Sequence, residues 1–282
     1  MTPDKPARKL TLAHSPDSDD AFMFWALKQG YVGADGIEFE HVLDDIQSLN
    51  QAALEGRHDI TAISLHAYPY VANQYFLMNV GASVGDGYGP IVVAKEQLKL
   101  DDLGGCKVAI PGSLTTAALL LKIAVPGLRT EEMRFDQILE SVRRGYVDAG
   151  LLIHEGQVTY QREGLNLVVD FGKWWKAETG LPLPLGANII RRALGEEAIA
   201  KSVAAIRSSI VYGLEHRDDA LRFAQEFGRD LVQPDVDKFV SMYVNDYTVD
   251  WGETGRAAAR ELLRRGAEAG IVPEIDNIEF VG

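Results

Sequence analysis

The sequence predicts an α/β protein of two lobes, each a mainly parallel sheet flanked by helices, and three observations carry that expectation. The first 64 residues alternate strand and helix patterns as βαβαβ, an alternation that implies a parallel sheet covered by helices. A second strand, loop and helix unit restarts at Val108. Farther on, the apolar run 151–153 lies between Gly150 and Gly156 and stops at His154, which reads as a short strand buried on both faces with a histidine just beyond its end.

The elements follow in order. Residues 9–13 form a short apolar strand that ends in Ser15-Pro16-Asp17-Ser18-Asp19-Asp20, and residues 21–29 read as a helix with Phe22, Trp25 and Ala26 on one face, closed by Gly30. The Ser/Asp cluster is an N-cap signal, because these side chains accept from unpaired N–H groups and favour the positive end of the helix. It holds more polar groups than capping needs, so at least one is free to meet a ligand hydroxyl. Residues 37–43 are the second strand, 46–54 a helix ended by Gly56, and 60–63 a third strand reaching Ser64. Ser64 and His66 then fall at the same kind of sheet edge as His154, with Ser64 either capping a helix or touching a ligand.

The run Val84-Gly85-Asp86-Gly87-Tyr88-Gly89-Pro90 lacks the Gly-Lys-Ser/Thr ending of a phosphate loop and precedes a strand, 91–94, so it reads as a flexible connection. Residues 108–110 lead into Pro111-Gly112-Ser113-Leu114-Thr115-Thr116 and a helix over 117–123. Thr115 and Thr116 thus lie in a first helical turn, where hydroxyls and free N–H groups either cap the helix or hold a carboxylate. The amphipathic stretch 135–146 is a helix feeding the strand before His154. Of the adjacent Trp174 and Trp175, only one can face the core from a regular element, which leaves the other to cover a ligand. The proline-stiffened stretch 181–190 enters another strand, and from Glu196 the pattern is helical with breaks near Gly228 and Gly252.

Composition narrows the function. A chain of 282 residues that is 46% hydrophobic can fill a real core. With 41 acidic against 28 basic side chains and a formal charge of -13, nucleic acid and anionic membranes are disfavoured as partners. A small anionic substrate remains possible where local N–H donors work against the net field. No apolar run approaches the roughly 20 residues of a membrane helix, and the polar N-terminal stretch lacks a signal pattern, so a cytoplasmic location is expected. The single Cys106 is read as a buried structural thiol. No spacing suits a metal, and no cofactor is expected.

The lobes are expected as 1–93 with 188–282, and 94–187 inserted, with the ligand between Ser64 on one and Thr115, Thr116 and His154 on the other. Ligands in open α/β sheets bind beyond the carboxyl ends of strands, and domain interfaces favour small-molecule pockets. Imidazole suits proton transfer at neutral pH, so His154 is the candidate base; the alternative is an ordinary strand-end histidine bonded to a loop carbonyl.

Several motifs together resemble one family across nearly the whole chain. They are Ser15-Pro16 with Asp20 and Phe22, Leu49-Asn50 through Arg57, Gly89-Pro90 through Ala94, Pro111-Gly112 with Thr115-Thr116, Gly150 through Glu155, Trp174-Trp175, and Thr179 through Gly186. The chain resembles the menaquinone-biosynthesis enzymes of the futalosine route, the chorismate dehydratase/naphthoate synthase family, which have the type II periplasmic-binding-protein fold. The His154-Glu155 pair favours the naphthoate synthase branch. That resemblance implies a cofactor-independent lyase that converts cyclic dehypoxanthine futalosine to 1,4-dihydroxy-6-naphthoate, with His154 as catalytic base and Ser64, Thr115 and Thr116 in the substrate pocket. The alternatives are chorismate dehydratase chemistry and a non-catalytic binding protein. Ile63, beside Ser64, is counted with the substrate contacts. The chain departs from the family pattern at Asp17-Ser18-Asp19, Ala21 and His66. Asp20 is expected to face the cleft or lock its loop, and Asp17 and Asp19 to act mostly as charges at a helix start.

Overall fold

The structure, a computed structural model, describes residues 7–154, 156–228 and 232–282. Glu155 and the start of the chain, residues 1–6, on which parts of the sequence reading fall, lie outside the described residues. The chain begins with β1 (Arg8–His14), α1 (Ser18–Lys28), β2 (Ile37–Leu43), α2 (Ile46–Leu54), β3 (Ile60–Ser64), the short α3 (Tyr68–Val71), β4 (Tyr75–Met78) and β5 (Ser83–Gly85). It continues through β6 (Ile91–Ala94), β7 (Lys107–Ile110), α4 (Thr116–Ala124), β8 (Arg129–Glu132), α5 (Phe135–Arg144), β9 (Ala149–Leu152), α6 (Gly156–Thr159), β10 (Asn166–Asp170) and α7 (Phe171–Thr179). The last part is β11 (Leu183–Arg191), α8 (Glu196–Glu215), α9 (Arg217–Gln225), α10 (Gln233–Tyr243), α11 (Asp246–Val249), α12 (Gly252–Glu268) and β12 (Phe280–Val281).

Two sheets result, ordered β12-β4-β11-β3-β1-β2 with β5 beside β11, and β10-β6-β9-β7-β8. All of β6 lies in the second sheet and all of β11 in the first, so the chain changes sheets slightly before the expected Val93 and Asn188. Both sheets are mixed rather than mainly parallel. β1 pairs in parallel with β2 and β3, and β7 with β8 and β9, whereas β11 runs antiparallel to β3 and β6 antiparallel to β9. The reason is where each strand starts. The strands β1, β3 and β9 run toward the edge that carries Ser15, Ser64 and His154, while β6 and β11 carry the chain away from that edge.

Local chemistry sets the element ends. Asp45 caps α2 by accepting from the N–H groups of Gln47 and Ser48, and Asp170 caps α7 in the same way. The left-handed Gly145 closes α5. Gly150 lets β9 pass under α5, since a Cβ there would come within 2.5 Å of Ile138 and 2.7 Å of Val142. The connection through Tyr88 is packed rather than flexible: a Cβ on Gly172 would fall 1.9 Å from the Tyr88 carbonyl carbon, and the Tyr88 hydroxyl donates to the Met242 carbonyl. No helix among the described residues is long and apolar enough to cross a membrane.

The largest apolar cluster is shared by elements of both sheets. It joins Ile63 and Leu65 at the end of β3 to Leu119 and Leu120 of α4, and these to Trp251 and Leu262 at α12. A second cluster, with Leu10, Phe22 and Ile206, lies on the other face of the first sheet. A third, with Ile138, Val142 and Leu152, is built only from buried residues between 91 and 165.

Candidate active site

The carboxyl ends of β1, β3 and β9 and the start of α4 converge on a cleft lined from both sheets, enclosing about 710 Å³ counting its open mouth. That lies inside the usual range of about 300–1,000 Å³ for small-molecule sites. Ile63, Ser64, Asp20, Thr115, Thr116 and His154, all anticipated from sequence, line it.

His154 follows β9 in the left-handed region, at φ 56°, and among the described residues no other non-glycine has a positive φ. Such a conformation costs on the order of 1–3 kcal/mol and persists where the surroundings hold it. Two contacts account for the hold. The Nδ1 atom of His154 lies 3.0 Å from Oδ2 of Asp17, and the ring meets Phe135 edge-on with centroids 4.8 Å apart. The Gln157 N–H donates to the His154 carbonyl at 3.2 Å, closing the turn.

Asp17 therefore does something other than supply a helix charge. It occupies the N-cap position of α1 but its side chain makes no capping bond; it is buried and turned to His154. A second hydrogen bond fixes it, since Ser15 Oγ donates to the same Oδ2 at 2.6 Å. Asp20 locks the loop as expected: its Oδ2 accepts from the Ser15 N–H at 2.7 Å and lies 3.0 Å from Ser15 Oγ. Burial pushes the Asp20 carboxyl up to about 6, the Asp17 charge adding to that and the bond from the Ser15 N–H opposing it.

Across the cleft, Thr115 takes the capping alternative and Thr116 bonds to the neighbouring backbone. Thr115 Oγ caps α4 by accepting from the Ala118 N–H at 3.2 Å and donates to the Gly112 carbonyl at 2.8 Å. Thr116 Oγ donates to the Leu185 carbonyl at 2.6 Å and accepts from the His66 N–H at 3.3 Å. Each hydroxyl has one proton, and each proton is committed to a carbonyl. What remains for an anion is the first-turn backbone of α4, where the N–H groups of Thr116 and Ala117 have no intrahelical acceptor. Ser64 completes this side. It makes no capping bond, its Oγ accepts from Asn50 Nδ2 at 3.1 Å, and its N–H donates to Asn50 Oδ1 at 2.8 Å. Its own hydroxyl proton is thereby not needed for the Asn50 bond.

Other expectations change. His66, expected at the sheet edge beside Ser64, does not line the cleft; it is buried, with Nδ1 bonded to the Thr115 carbonyl at 3.0 Å, and burial lowers its pKa to about 4. Trp175 is fully buried and donates to the Pro182 carbonyl at 3.0 Å. Trp174 meets Phe171 edge-on and is absent from the cleft lining. Cys106 is only half-buried. No group of three or more His, Cys, Asp or Glu among the described residues is placed to hold a metal ion.

Four participants were missed from sequence. Asn50 stood in a recognised motif, and its signal was a polar residue, fully buried here, among the apolar Leu49, Ala52 and Ala53 of α2. Gln157 follows His154 closely but has no distinguishing pattern. Phe239 and Tyr243 of α10 reach the cleft from about ninety residues away in sequence, and nothing local marks them. The Tyr243 hydroxyl donates to Gln157 Oε1 at 2.7 Å, and burial raises its pKa above the ordinary phenol range.

Comparison with known proteins agrees with this architecture. Residues 10–268 match the model of the family described as menaquinone biosynthesis. A Thermus thermophilus protein named 1,4-dihydroxy-6-naphthoate synthase is 42% identical over 262 residues, 93% of this chain and 95% of the relative. A Streptomyces coelicolor protein of the same name is 38% identical over 276 residues, 95% of this chain and 96% of the relative. A crystal structure of an Archaeoglobus fulgidus protein, 45% identical, superposes with a TM-score of 0.90 over 94% of this chain and 98% of its own. A Candida albicans protein described as having the generic periplasmic-binding-protein fold, 16% identical, aligns with a TM-score of 0.71 over 96% of this chain and 93% of its own, which speaks for the fold alone. With its two mixed sheets, the cleft between their strand ends and near full-length likeness to these relatives, the chain belongs to the menaquinone-biosynthesis family and has the periplasmic-binding-protein-like fold.

Proposed function

We propose that the protein is a lyase of menaquinone biosynthesis that opens cyclic dehypoxanthine futalosine and releases 1,4-dihydroxy-6-naphthoate, with His154 as the general base. The observation that carries this reading is the strained His154 held by Asp17 at a cleft whose lining also includes the first turn of α4. The names of the two curated relatives support the reaction.

The arrangement divides the work. With Asp17 accepting from Nδ1–H, the neutral imidazole carries its lone pair on Nε2, the nitrogen that takes the proton; the carboxylate also steadies the imidazolium that forms. A C–H beside a carbonyl is the site such a base attacks. The substrate carboxylate is seated by the first-turn N–H groups of α4 and the Ser64 hydroxyl. Asp19 and Asp20, on the acidic side of the cleft, suit acceptance from sugar hydroxyls and would repel a carboxylate, which sets the substrate's direction.

Incubation with cyclic dehypoxanthine futalosine and, separately, with chorismate, followed by mass spectrometry, tests the assignment. Naphthoate product from the first alone is expected. Turnover of chorismate alone would reassign the protein to dehydratase chemistry, and recovery of both compounds unchanged would make it a binding protein.

A further inference from the structure

The base and the carboxylate that orients it belong to different sheets. Asp17 stands between β1 and α1 of the first sheet, and His154 follows β9 of the second. The His154 side chain is 14% exposed and that of Asp17 2%, so the pair is packed into the cleft wall at the seam between the two sides. When they part, the 3.0 Å contact is lost.

Past β9, the described polar contacts that tie the His154 segment to the first lobe include two that land on one helix, α10. Tyr243 Oη donates to Gln157 Oε1 at 2.7 Å, and Gln157 is the residue whose N–H closes the His154 turn. One turn farther along, Arg162 makes a two-pronged ion pair with Asp235 near the start of α10, at 2.6 and 3.0 Å. The strand before His154, β9, is fixed in the largest apolar cluster through Ala149 and Leu151, but the helix that follows His154, α6, has no buried residue, so the stretch past β9 is the part held by polar bonds. Polar contacts can open and close at little net cost, whereas an apolar core cannot.

We propose that Tyr243 and the Arg162–Asp235 pair are positioning residues for His154: they clamp its segment onto α10 and so assemble the Asp17–His154 pair when the cleft closes. The base is then complete only around an enclosed substrate. This rests on His154 being the base of the reaction proposed above.

The test uses the full-length protein with Arg162→Asp, Asp235→Arg, the double exchange of both, and Tyr243→Phe. One readout needs no substrate: the side-chain 15N signals of His154, assigned with His154→Gln, compared with those of Asp17→Asn. The other is kcat and KM on cyclic dehypoxanthine futalosine, with thermal unfolding as the control for folding. Each single reversal should lower kcat about tenfold or more, within the hundredfold that a misplacement of ~1 Å can cost, and should move the His154 signals toward those of Asp17→Asn. The double exchange should restore both, and Tyr243→Phe should lower kcat with an unchanged unfolding midpoint. Parent-like kcat and His154 signals in the single reversals, or a double exchange as impaired as they are, would overturn the proposal. If the parent turns over none of the futalosine-derived substrate, the reaction assignment fails, while the His154 signals still decide whether α10 assembles the pair.

Discussion

The two walls of the cleft spring from the same sheet, α4 from β7 and His154 from β9, but past those strands they meet the first lobe in different ways. On the anion side, α4 shares the largest apolar cluster with α12: Leu119 is fully buried, and a Cβ on Gly266 of α12 would sit 3.2 Å from Leu119 Cδ1. Polar bonds reinforce it, with Gln47 of α2 accepting from the Leu114 N–H at 3.1 Å and Thr116 donating to the Leu185 carbonyl. On the base side, β9 enters the same cluster through Ala149 and Leu151, but past its end the described contacts with the first lobe are polar, His154 with Asp17, Gln157 with Tyr243 and Arg162 with Asp235. The difference teaches that α4 is packed into the scaffold by apolar contacts, whereas the stretch that carries the proposed base past β9 is held by polar ones.

The largest effect expected from this contrast is on stability. Leu119→Ala removes packing that both lobes share and should cost about 2–5 kcal/mol in urea unfolding, the usual range for a buried leucine. Arg162→Asp, on the polar wall, should cost less than a third of that. Equal losses would erase the distinction between the walls.

Next comes the orienting carboxylate. Asp17→Asn keeps the side-chain shape but removes the negative charge that steadies the imidazolium and lets an amide N–H compete for His154 Nδ1, so steady-state assays should show kcat lowered by roughly a hundredfold. Asp20→Asn acts one residue removed, through Ser15, and should do less. The opposite ranking would show that Asp20's contact with the substrate outweighs the hold of Asp17 on His154.

The anion side should respond in KM instead. Ser64→Ala deletes one donor to a charged group, worth about 1.5–3 kcal/mol, and should raise KM about tenfold or more with kcat little changed. A fall in kcat alone would mean that Ser64 takes part in the chemical step.

The smallest effect is graded by pH. Burial lowers the pKa of His14 to about 3 and of His41 and His66 to about 4, against about 6.5 when unfolded. Between pH 6.5 and 4 the unfolded chain binds more protons at these sites, so their contribution to stability is present above 6.5 and is lost as pH falls, by up to about 1.4 kcal/mol per pH unit each. Asp20, raised to about 6, opposes this over roughly pH 4–6, because there the folded state holds the extra proton. Three groups against one predicts a net loss of stability toward acid. Urea titrations at pH 7, 6 and 5 measure it, and His66→Gln, on the anion side, should reduce the slope. A flat profile would contradict the burial of these rings.

Much of this was legible in the sequence because it is written locally. The apolar runs that became β1, β3 and β9 are bounded by turn residues, and His154 stands just past the last of them, as periodicity implied. Direction is not local: nothing in residues 91–94 or 183–191 says that they start at the cleft and run away from it, so both sheets were expected to be mainly parallel. Thr115 and Thr116 were recognised as pocket residues, but residue type does not reveal that their protons are spent on Gly112 and Leu185. Asp17 looked like a helix charge because its partner lies 137 positions away in the chain. Tyr243 and Asp235 were out of reach for the same reason.

The central claim is that His154 moves the proton, and His154→Ala tests it most directly when turnover of cyclic dehypoxanthine futalosine and cooperative unfolding are measured on the same preparation. Loss of the base should lower kcat by about two to four orders of magnitude while the protein still unfolds in one cooperative transition. Near-parental turnover from a folded His154→Ala protein would contradict the account.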